Sequence, residues 1–274
     1  MLAVDRRHLI LERVAEQQTI HIADLARELG VSEMTIRRDI GRLERDGFLR
    51  QTYGGATAHV TRSMELGFNA RALHQTSAKR LIGMRAAQLV EDLTTLFVGI
   101  GTTAEQFALF LPALESRTVV TDSIPLASFL GTRPGRVVAL GGVVRRDELS
   151  CIGPVAAATI GRYHAEAAVL GAAGLSAGGG ITELYDDEAD IHRLMIDRSD
   201  RLIVLADGSK LGVVTVAAVA PTRAIDVLVT DESAPTAELE LFREQGVEVV
   251  VAERSTETRR RGRAPVGTVG TTRS

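Results

Sequence analysis

The N-terminal part of the chain repeats its apolar residues with the period of a helix. Between about residues 5 and 18, side chains such as Ile10 and Val14 predict a first helix. The segment IADLARELG predicts a second, short helix that stops at Gly30. Ser32 stands where a side-chain oxygen caps a third helix, which ends at Gly47. FLRQTYGGATAHV then predicts two short strands joined by a tight Gly-Gly turn.

The third predicted helix, VSEMTIRRDIGRLERDG, carries four arginines against two glutamates and two aspartates. Its inward stripe consists of Ile36, Ile40 and Leu43, and its outward half consists of Thr35, Arg37, Arg38, Arg42 and Arg45. The acids Glu33, Asp39, Glu44 and Asp46 lie on the shoulders of the apolar stripe, where we expect them to support the helix through local ion pairs. Two helices, a short turn with glycine and a hairpin form a winged helix-turn-helix. This context favours nucleic-acid docking by the outward arginines, whereas a solvated helix of mixed charge is the alternative.

Beyond the hairpin the pattern changes to aliphatic runs alternating with helical stretches. The segment TRSMELGFNARALHQ has weak periodicity and suits a connector, and SAKRLIGMRAAQLVED predicts a helix capped by Ser77. Six runs predict buried strands, namely LTTLFVG, RTVVTDS, GRVVALGG, AEAAVLGAAG, RLIVLADGS and AIDVLVTD. Strands interleaved with helices predict an α/β unit with an open, mostly parallel sheet, which binds ligands at the carboxyl ends of its strands.

Composition and charge limit the possible classes of protein. The chain has 274 residues, 45% apolar residues and a net charge of −3, so bulk charge alone does not indicate nucleic-acid binding. No apolar run approaches a membrane span and the N-terminus lacks a leader pattern, so we expect a soluble, cytoplasmic protein. The single cysteine, Cys151, agrees with a reducing compartment and is expected to be a small packed side chain. The sequence predicts a DNA-binding domain over 1–60, a linker over 61–76, an α/β sensing domain over 77–253 and a disordered Arg-rich tail over 254–274.

The run ADLARELGVSEMTIRRDIGRLERDGFLRQTYGGA resembles the N-terminal signature of the DeoR-type bacterial transcriptional repressors. The resemblance rests on VSxxTIRRD, the following LxxxG and the Gly-Gly wing, and it continues to about Val250. Tyr53 stands where the family usually has His, and Tyr can still donate a hydrogen bond to phosphate. The resemblance implies that the second domain has the sugar-phosphate isomerase and CoA-transferase fold and senses a small molecule without catalysis.

The sequence also marks candidate ligand contacts in the second domain. GIGTTAE follows a predicted strand and opens a helix, so its glycines and free amides suit a phosphate; a tight capped turn is the alternative. Lys210, one of only two lysines in the chain, is placed to meet a phosphate as a point charge, or it is an exposed loop cation. Together with positions that match the family pattern, the expected effector contacts are Gly101, Thr102, Thr103, Asp122, Ser123, Gly142, Arg145, Gly180, Thr182, Glu188, His192, Asp207 and Lys210.

Four residues depart from the family pattern in the presumed pocket. Gly99 and Ala173 replace two aspartates, Asp122 replaces an asparagine and His192 replaces a lysine. The departures predict that the effector differs from the common sugar phosphates, or that its site has degenerated.

Three other interpretations remain open. Gly99, Gly101 and Ala104, with Asp122 about 20 residues on, fit a weak dinucleotide fingerprint and would allow an NAD sensor. Glu188 and His192 share a helical face and could suggest a metal, although one pair makes a poor cage and an acid-rich first helical turn explains them better. A sugar-phosphate isomerase with an accessory DNA-binding domain is the enzymatic alternative.

The RRRGR run of the tail either adds nonspecific affinity for DNA or has no role.

The sequence therefore predicts a DNA-binding transcriptional regulator, a repressor controlled by a sugar-related, phosphorylated metabolite. The residues expected to contact double-stranded operator DNA are Ser32, Thr35, Arg37, Arg38, Arg42, Arg45 and Tyr53. A single module reads few bases, so we expect a homo-oligomer on repeated half-sites. No catalytic residue, metal or cofactor is predicted.

Overall fold

The computed structural model describes residues 6–7, 9–10, 13–14, 19–45, 49–58, 71–72, 75–112 and 114–253. They form a small N-terminal unit, up to residue 58, and a larger α/β unit that begins at residue 71. The predicted Arg-rich tail and most of the predicted linker lie outside the described residues.

The N-terminal unit has the predicted order of elements and one additional strand. The described residues of the first predicted helix are helical, at positions 6–7, 9–10 and 13–14. The elements that follow are β1 (Thr19–His21), α1 (Ile22–Leu29), α2 (Glu33–Arg45), β2 (Leu49–Thr52) and β3 (Gly55–Ala58). Gly30 ends α1 in the left-handed region at φ +64°, where glycine carries no steric penalty. The strands form an antiparallel sheet in the order β1-β3-β2.

The two glycines of the wing have different roles. Gly54 takes φ +83° in the two-residue turn between β2 and β3. Gly55 is already in β3, and a Cβ there would lie 2.0 Å from the carbonyl oxygen of Ile20 in β1. The second glycine is thus required for β1 to reach β3, a role that the pattern of the hairpin alone did not indicate.

The core of the N-terminal unit is aliphatic. The inward stripe of α2 is buried as predicted, with Ile36 and Ile40 at 0% exposure and Leu43 at 3%. It packs in one cluster with Ile10, Val14, Ile20, Ile22, Leu25, Ala26, Leu49 and Ala56. Burial of this seam fixes which side of α2 faces outward.

The α/β unit is built on a parallel sheet of seven strands in the order β15-β14-β12-β9-β4-β5-β6. These strands are β4 (Thr95–Val98), β5 (Leu114–Thr121), β6 (Gly135–Ala139), β9 (Ala167–Leu170), β12 (Leu202–Leu205), β14 (Val227–Asp231) and β15 (Glu248–Ala252). The first six coincide with the six predicted runs, and β9, β12 and β14 are buried along their whole length, as continuous aliphatic segments predict. β15 is an edge strand that the sequence analysis did not predict.

Helices cover both faces of this sheet, and the buried residues accordingly form two separate hydrophobic clusters. The helices are α3 (Thr76–Gln88), α4 (Thr102–Phe110), α5 (Ile124–Leu130), α6 (Pro154–Ile160), α7 (Asp186–Asp197) and α8 (Thr236–Glu244). The predicted cap at Ser77 is wrong: α3 begins at Thr76, and its N-cap is Gln75 in the left-handed region, with no side-chain hydrogen bond to the helix. Ser77 instead lies inside the first turn.

Two smaller sheets complete the α/β unit. One is a two-stranded ribbon of β7 (Val143–Arg145) and β8 (Ser150–Ile152). The other is an antiparallel sheet of β10 (Gly174–Ser176), β11 (Gly180–Glu183) and β13 (Ala217–Ala220). None of these short strands was predicted, because they carry too little periodicity and, unlike β4, β9 and β12, do not lie in long aliphatic runs. Two short 3-10 helices, Gly208–Lys210 and Thr222–Ala224, follow β12 and β13.

Candidate nucleic-acid interface and ligand cavity

Helix α2 begins at the cap that the sequence predicted. The Ser32 hydroxyl accepts a hydrogen bond from the backbone N–H of Thr35 at 3.2 Å and lies 2.9 Å from the Thr35 hydroxyl. Ser32 therefore satisfies one of the backbone donors that a helix start leaves free. This fixes the first turn of α2, from which Thr35 and the following arginines project.

The outward half of α2 is exposed and basic. Arg37, Arg38 and Arg42 all have exposed side chains, on the side of the helix opposite the buried seam. The Arg37 guanidinium lies 3.8 Å from Glu33 one turn earlier, and both side chains are about half exposed. Such a loose pair is worth little in water and does not hold the arginine away from a phosphate. The side chain of Arg45 lies outside the described residues.

The acids of α2 are occupied by specific partners. Asp39 is 7% exposed and pairs at 2.6 Å with Arg6 of the first helical segment. Glu44 accepts a hydrogen bond at 2.8 Å from the backbone N–H of Gln51 in β2 and so ties α2 to the wing. The predicted ion pair within the helix is present for Glu33. Asp39 and Glu44 instead contact other elements. Asp46 lies outside the described residues. Asp39 and Glu44 therefore connect α2 to the first helical segment and to the wing.

The wing places Tyr53 at its tip. Tyr53 is fully exposed in the turn before Gly54, and the hairpin register pairs Thr52 with Gly55. Its ring and hydroxyl are therefore accessible to a partner. Its position suits a contact to a phosphate backbone.

The α/β unit contains a cavity at the carboxyl ends of β4, β9 and β12, the three central strands of its sheet. The loop between β4 and α4 contributes Gly101, Thr102 and Thr103, and Gly101 takes φ +129° at the N-cap of α4. The complete lining is Arg71, Lys79, Ile100, Gly101, Thr102, Thr103, Glu148, Gly171, Ala172, Ala173, Glu183, Leu184, Glu188, Leu205, Ala206, Asp207, Ser209 and Lys210. This is the end of the sheet at which α/β proteins bind ligands.

Three cations lie together in the cavity wall. They are Arg71 and the two lysines of the chain, Lys79 at 4% and Lys210 at 8% exposure. Burial lowers the pKa of Lys79 to about 8, and the positive charges of Lys210 and Arg71 lower it further against the attraction of Asp207. Burial also lowers the pKa of Lys210, and Arg71 adds to that effect. An anion at this point would stabilise all three charges.

The same wall carries four acids, namely Glu148, Glu183, Glu188 and Asp207. Burial raises the pKa of Glu188 to about 7, although its Oε1 accepts a hydrogen bond from the Ser150 hydroxyl at 2.9 Å. Asp207 caps the 3-10 helix by accepting from the backbone N–H of Ser209 at 3.1 Å. A wall of cations and carboxyl groups suits a ligand with both an anionic group and several hydroxyls.

Six of the predicted effector contacts line this cavity, namely Gly101, Thr102, Thr103, Glu188, Asp207 and Lys210. The structure does not place the other seven in the wall of this cavity. Ser123 caps α5 by accepting from the N–H of Leu126 at 3.2 Å. The Thr182 hydroxyl donates to the carbonyl of Gly174 at 3.1 Å and accepts from the N–H of Thr215 at 2.9 Å.

Two predicted glycines serve the backbone instead of a ligand. Gly142 has φ +115°, and a Cβ there would lie 2.6 Å from the carbonyl oxygen of Ile152. Gly180 has φ +68°, and a Cβ there would lie 2.1 Å from the carbonyl oxygen of Ala220. Arg145 does not line the cavity but contacts a residue that does. It pairs with Asp187, and its Nε lies 3.2 Å from Oε1 of the cavity residue Glu188. These three residues do not line the cavity, and their contact with an effector stays a prediction.

Asp122 and His192 form a buried ionisable pair that does not reach the cavity. His192 Nδ1 lies 3.5 Å from Glu183 and its Nε2 lies 3.9 Å from Asp122. Burial alone would lower the pKa of His192, but Glu183, Asp122 and Glu188 together raise it to about 9. Burial raises the pKa of Asp122 to about 7, and the charge of His192 opposes that rise. We therefore assign His192 as protonated at neutral pH.

The buried pair also bears on the alternative interpretations. Asp122 is 1% exposed, so its carboxylate is not placed to accept from a ribose hydroxyl as a dinucleotide site requires. Glu188 is already held by Arg145 and Ser150, and His192 is 0% exposed. Among the residues that the structure describes, no three His, Cys, Asp or Glu side chains are grouped as a metal ion would need. Cys151 is buried, as predicted for a packed side chain.

The departure at Gly99 is coupled to that at His192. A Cβ at position 99 would lie 2.7 Å from Leu170 Cδ2 and 3.1 Å from His192 Nε2. Leu170 and His192 therefore fill the space that a longer side chain at position 99 would occupy. Ala173, the third departure, is in the cavity wall and leaves it without a carboxylate at that point.

Five polar residues of the cavity wall were not among the residues that the sequence predicted, namely Arg71, Lys79, Glu148, Glu183 and Ser209. The rarity of lysine, which marked Lys210, would also have marked Lys79. Arg71 and Glu148 carry no local signal, because 77 positions separate them and only the tertiary fold brings them together.

In the described part of the chain, no helix is both long and apolar enough to cross a membrane.

Comparison with known proteins connects both units to one kind of protein. Residues 6–62 match the family model described as the DeoR-like helix-turn-helix domain, and residues 74–232 match that of the DeoR C terminal sensor domain. The HTH-type transcriptional regulator GolR of Listeria innocua is 29% identical over 254 residues, which cover 92% of this chain and 100% of GolR. The HTH-type transcriptional repressor GlcR of Bacillus subtilis is 30% identical over 254 residues, which cover 92% of this chain and 98% of GlcR. The sorbitol operon regulator SorC from Klebsiella pneumoniae aligns over 88% of this chain and 99% of its own structure, with 14% identity and a TM-score of 0.38.

Proposed function

The chain belongs to the DeoR family of transcriptional regulators, and from that premise we propose that it is a repressor whose α/β unit senses a phosphorylated, sugar-related metabolite. It is a DNA-binding regulator and not an enzyme, because its two units match the DNA-binding and sensor domains of that family. Its partners are an operator and a small-molecule effector. That GlcR is named a repressor supports the assignment of repression to this chain.

The DNA contacts that we propose are those of α2 and the wing. The observation that carries the proposal is the exposed strip of Arg37, Arg38 and Arg42 on the side of α2 opposite its buried seam. The first turn of α2 would enter the major groove with Thr35 and these arginines toward base edges and phosphates. Tyr53 would contact the backbone from the wing, and we assign Ser32 to the same surface.

The effector proposal rests on the cavity of the α/β unit. Arg71, Lys79 and Lys210 supply positive charge beside the start of α4, where the helix dipole also favours an anion. Glu183, Glu188 and Asp207 supply acceptors for sugar hydroxyls. A cavity wall that holds these cationic and acidic side chains together favours an intact effector site over one that has degenerated. Because Gly99 and Ala173 offer no carboxylate, we propose an effector that differs from the common sugar phosphates.

We further propose that the protein is a homo-oligomer and acts in the cytoplasm, where its DNA lies. One winged module makes too few base contacts for a unique genomic site, and two modules on half-sites one helical turn apart would solve this. Sedimentation equilibrium would give a mass that is a multiple of the 29.4 kDa chain. A single species at the mass of one chain, with or without operator DNA, would contradict the oligomer.

Two linked experiments test the function. In the first, the purified protein is mixed with sheared DNA of its own genome, and the retained fragments are sequenced. We expect enrichment of a few promoter regions that share a repeated half-site. Uniform retention of all fragments would refute a sequence-specific regulator.

In the second experiment, the retained promoter fragment is challenged with a panel of phosphosugars and with the matched unphosphorylated sugars. We expect release by at least one phosphorylated compound and by none of its unphosphorylated counterparts, because the proposed switch needs different affinities in the two states. Release by an unphosphorylated sugar alone would overturn the phosphorylated effector and leave the DNA-binding function standing.

A further inference from the structure

Arg71 links the ligand cavity to the chain that arrives from the N-terminal unit. It lies within the predicted linker, at the first described residue of the α/β unit, and it lines the cavity. Its guanidinium Nη2 donates to Glu148 Oε2 in the turn between β7 and β8. Its own carbonyl oxygen accepts a hydrogen bond from Lys79 Nζ, so both ends of the residue are held by cavity residues.

The hydrogen bonding of Arg71 is incomplete. Its Nε is buried and makes no hydrogen bond within the described residues. A buried guanidinium donor without an acceptor costs free energy that an additional acceptor would recover. Arg71 also lies close enough to Lys79 and Lys210 to lower the pKa of each. An anion at this point would therefore accept from Arg71 Nε and reduce the repulsion among the three cations.

Glu148 is the anionic partner of Arg71 in this structure, and it accepts from Nη2 and not from Nε. Its side chain is 5% exposed, and burial raises the pKa of its carboxyl group despite the opposing effect of Arg71. Glu183 and Asp147 add further negative charge around it. Its ion pair with Arg71 is thus formed at the cost of desolvating Glu148, which makes the carboxylate replaceable by a soluble anion of higher charge.

We propose that Arg71 is a shared clasp: Glu148 holds its guanidinium in the ligand-free protein, and the anionic group of the effector takes it over on binding. The proposal rests on the effector site described under the proposed function and assigns the regulation of that site. Exchange of partners frees the turn between β7 and β8 from Arg71. It also changes the contacts of the residue at which the α/β unit begins, so occupancy of the cavity reaches the linker through one side chain.

Competition between Glu148 and the anionic ligand for Arg71 predicts a result that a purely structural ion pair does not predict. If Glu148 competes with the ligand, its neutralisation strengthens anion binding, whereas loss of a structural pair weakens it or leaves it unchanged. The test is isothermal titration of the full chain with inorganic phosphate at one pH. The variants are Arg71→Gln, Arg71→Lys, Glu148→Gln and the double variant Arg71→Gln with Glu148→Gln. The control is Glu248→Gln, which removes an exposed carboxylate 3.5 Å from Arg201 at the opposite end of the sheet.

We expect Arg71→Gln to weaken phosphate binding about tenfold or more, because a hydrogen-bonded charge is lost from the site. Arg71→Lys should lose less, and Glu148→Gln should bind phosphate roughly five- to tenfold more tightly. Because the gain acts through Arg71, the double variant should bind no more tightly than Arg71→Gln alone. Glu248→Gln should behave as wild type, and circular dichroism would verify that each variant is folded.

The outcomes separate the clasp from the effector site on which it rests. Phosphate binding by wild type that Glu148→Gln leaves unchanged or weakens would overturn the clasp while the anion site stands. A gain that persists in the double variant would also overturn it. Absence of phosphate binding in wild type and in every variant would overturn the anionic effector and the clasp together.

Discussion

Removal of Asp39 should destabilise the N-terminal unit far more than removal of an exposed acid of the same unit. Asp39 and Arg6 pair at 2.6 Å with side chains only 10% and 12% exposed, and they join the first helical segment to α2. In Asp39→Ala, Arg6 stays largely buried without its carboxylate. Breaking a buried pair in this way costs about 3–5 kcal/mol, and partial exposure with snorkelling of the Arg6 stem lowers this to about 2–3 kcal/mol.

Differential scanning calorimetry of the full chain is the appropriate assay, because two units give separable transitions. For a unit of about 60 residues, each kcal/mol moves the midpoint by about 4–8 °C, so the first transition should fall by roughly 10–20 °C. The transition of the α/β unit should not move. The matched control is Asp24→Ala, since Asp24 pairs with Arg27 at 3.3 Å with side chains 66% and 79% exposed. This control should cost no more than about 0.5 kcal/mol. Equal shifts for the two variants would refute the assignment of Asp39 as a buried anchor of α2.

Three further predictions follow from the geometry. Gly55→Ala should destabilise the wing by about 1–3 kcal/mol or more, since its Cβ would lie 2.0 Å from the carbonyl oxygen of Ile20; a wild-type melting curve would contradict the close approach. The pKa of His192 is raised from 6.5 to about 9, so its charge stabilises the fold fully below pH 6.5 and the effect is lost as pH rises through 9. Urea unfolding should therefore show His192→Gln destabilised at pH 6 and much closer to wild type above pH 9, and a constant difference would exclude this titration. Burial lowers the pKa of Lys79 from 10.5 to about 8, so its charge disappears as pH rises through 8. Affinity for sulfate, measured by titration calorimetry, should fall between pH 7 and 9 in wild type and much less in Lys79→Arg, and equal pH profiles would argue against Lys79 as an anion contact.

The elements that could be predicted are those whose own sequence determines them. Helix α2 has an apolar stripe, a Ser32 cap and a preceding Gly30, and these local signals located it without tertiary information. Six strands of the parallel sheet were recognisable as aliphatic runs, which is typical of strands such as β9, β12 and β14 that are buried along their whole length. The ribbon of β7 and β8 and the pair of β10 and β11 are local, but their strands of three or four residues gave no warning, and β13 joins β11 only in the folded chain.

The cavity was predictable only in part, for the same reason. Thr102 and Asp207 come within four residues of the carboxyl ends of β4 and β12, so the rule for parallel sheets placed them at the correct end. Gly180 and Thr182 also matched a functional pattern, but their contacts show that they maintain the backbone of the small sheet. Arg71 and Glu148 come from the start of the unit and from a ribbon turn, and only the folded chain brings them together.

The central claim is that the outward arginines of α2 recognise the operator, and operator binding by Arg38→Ala tests it most directly. Fluorescence anisotropy with a recovered promoter fragment, over a range of salt concentrations, would compare wild type, Arg38→Ala and the control Arg85→Ala. Arg85 is an exposed helical arginine of the α/β unit, and its guanidinium donates to Gln88 at 2.6 Å. The account predicts that Arg38→Ala loses about 1–3 kcal/mol of binding free energy, with either relaxed sequence preference or a salt slope reduced by about one. Arg85→Ala should bind as wild type does. If Arg38→Ala keeps the affinity, the sequence preference and the salt slope of wild type, the claim that the outward arginines recognise the operator is contradicted.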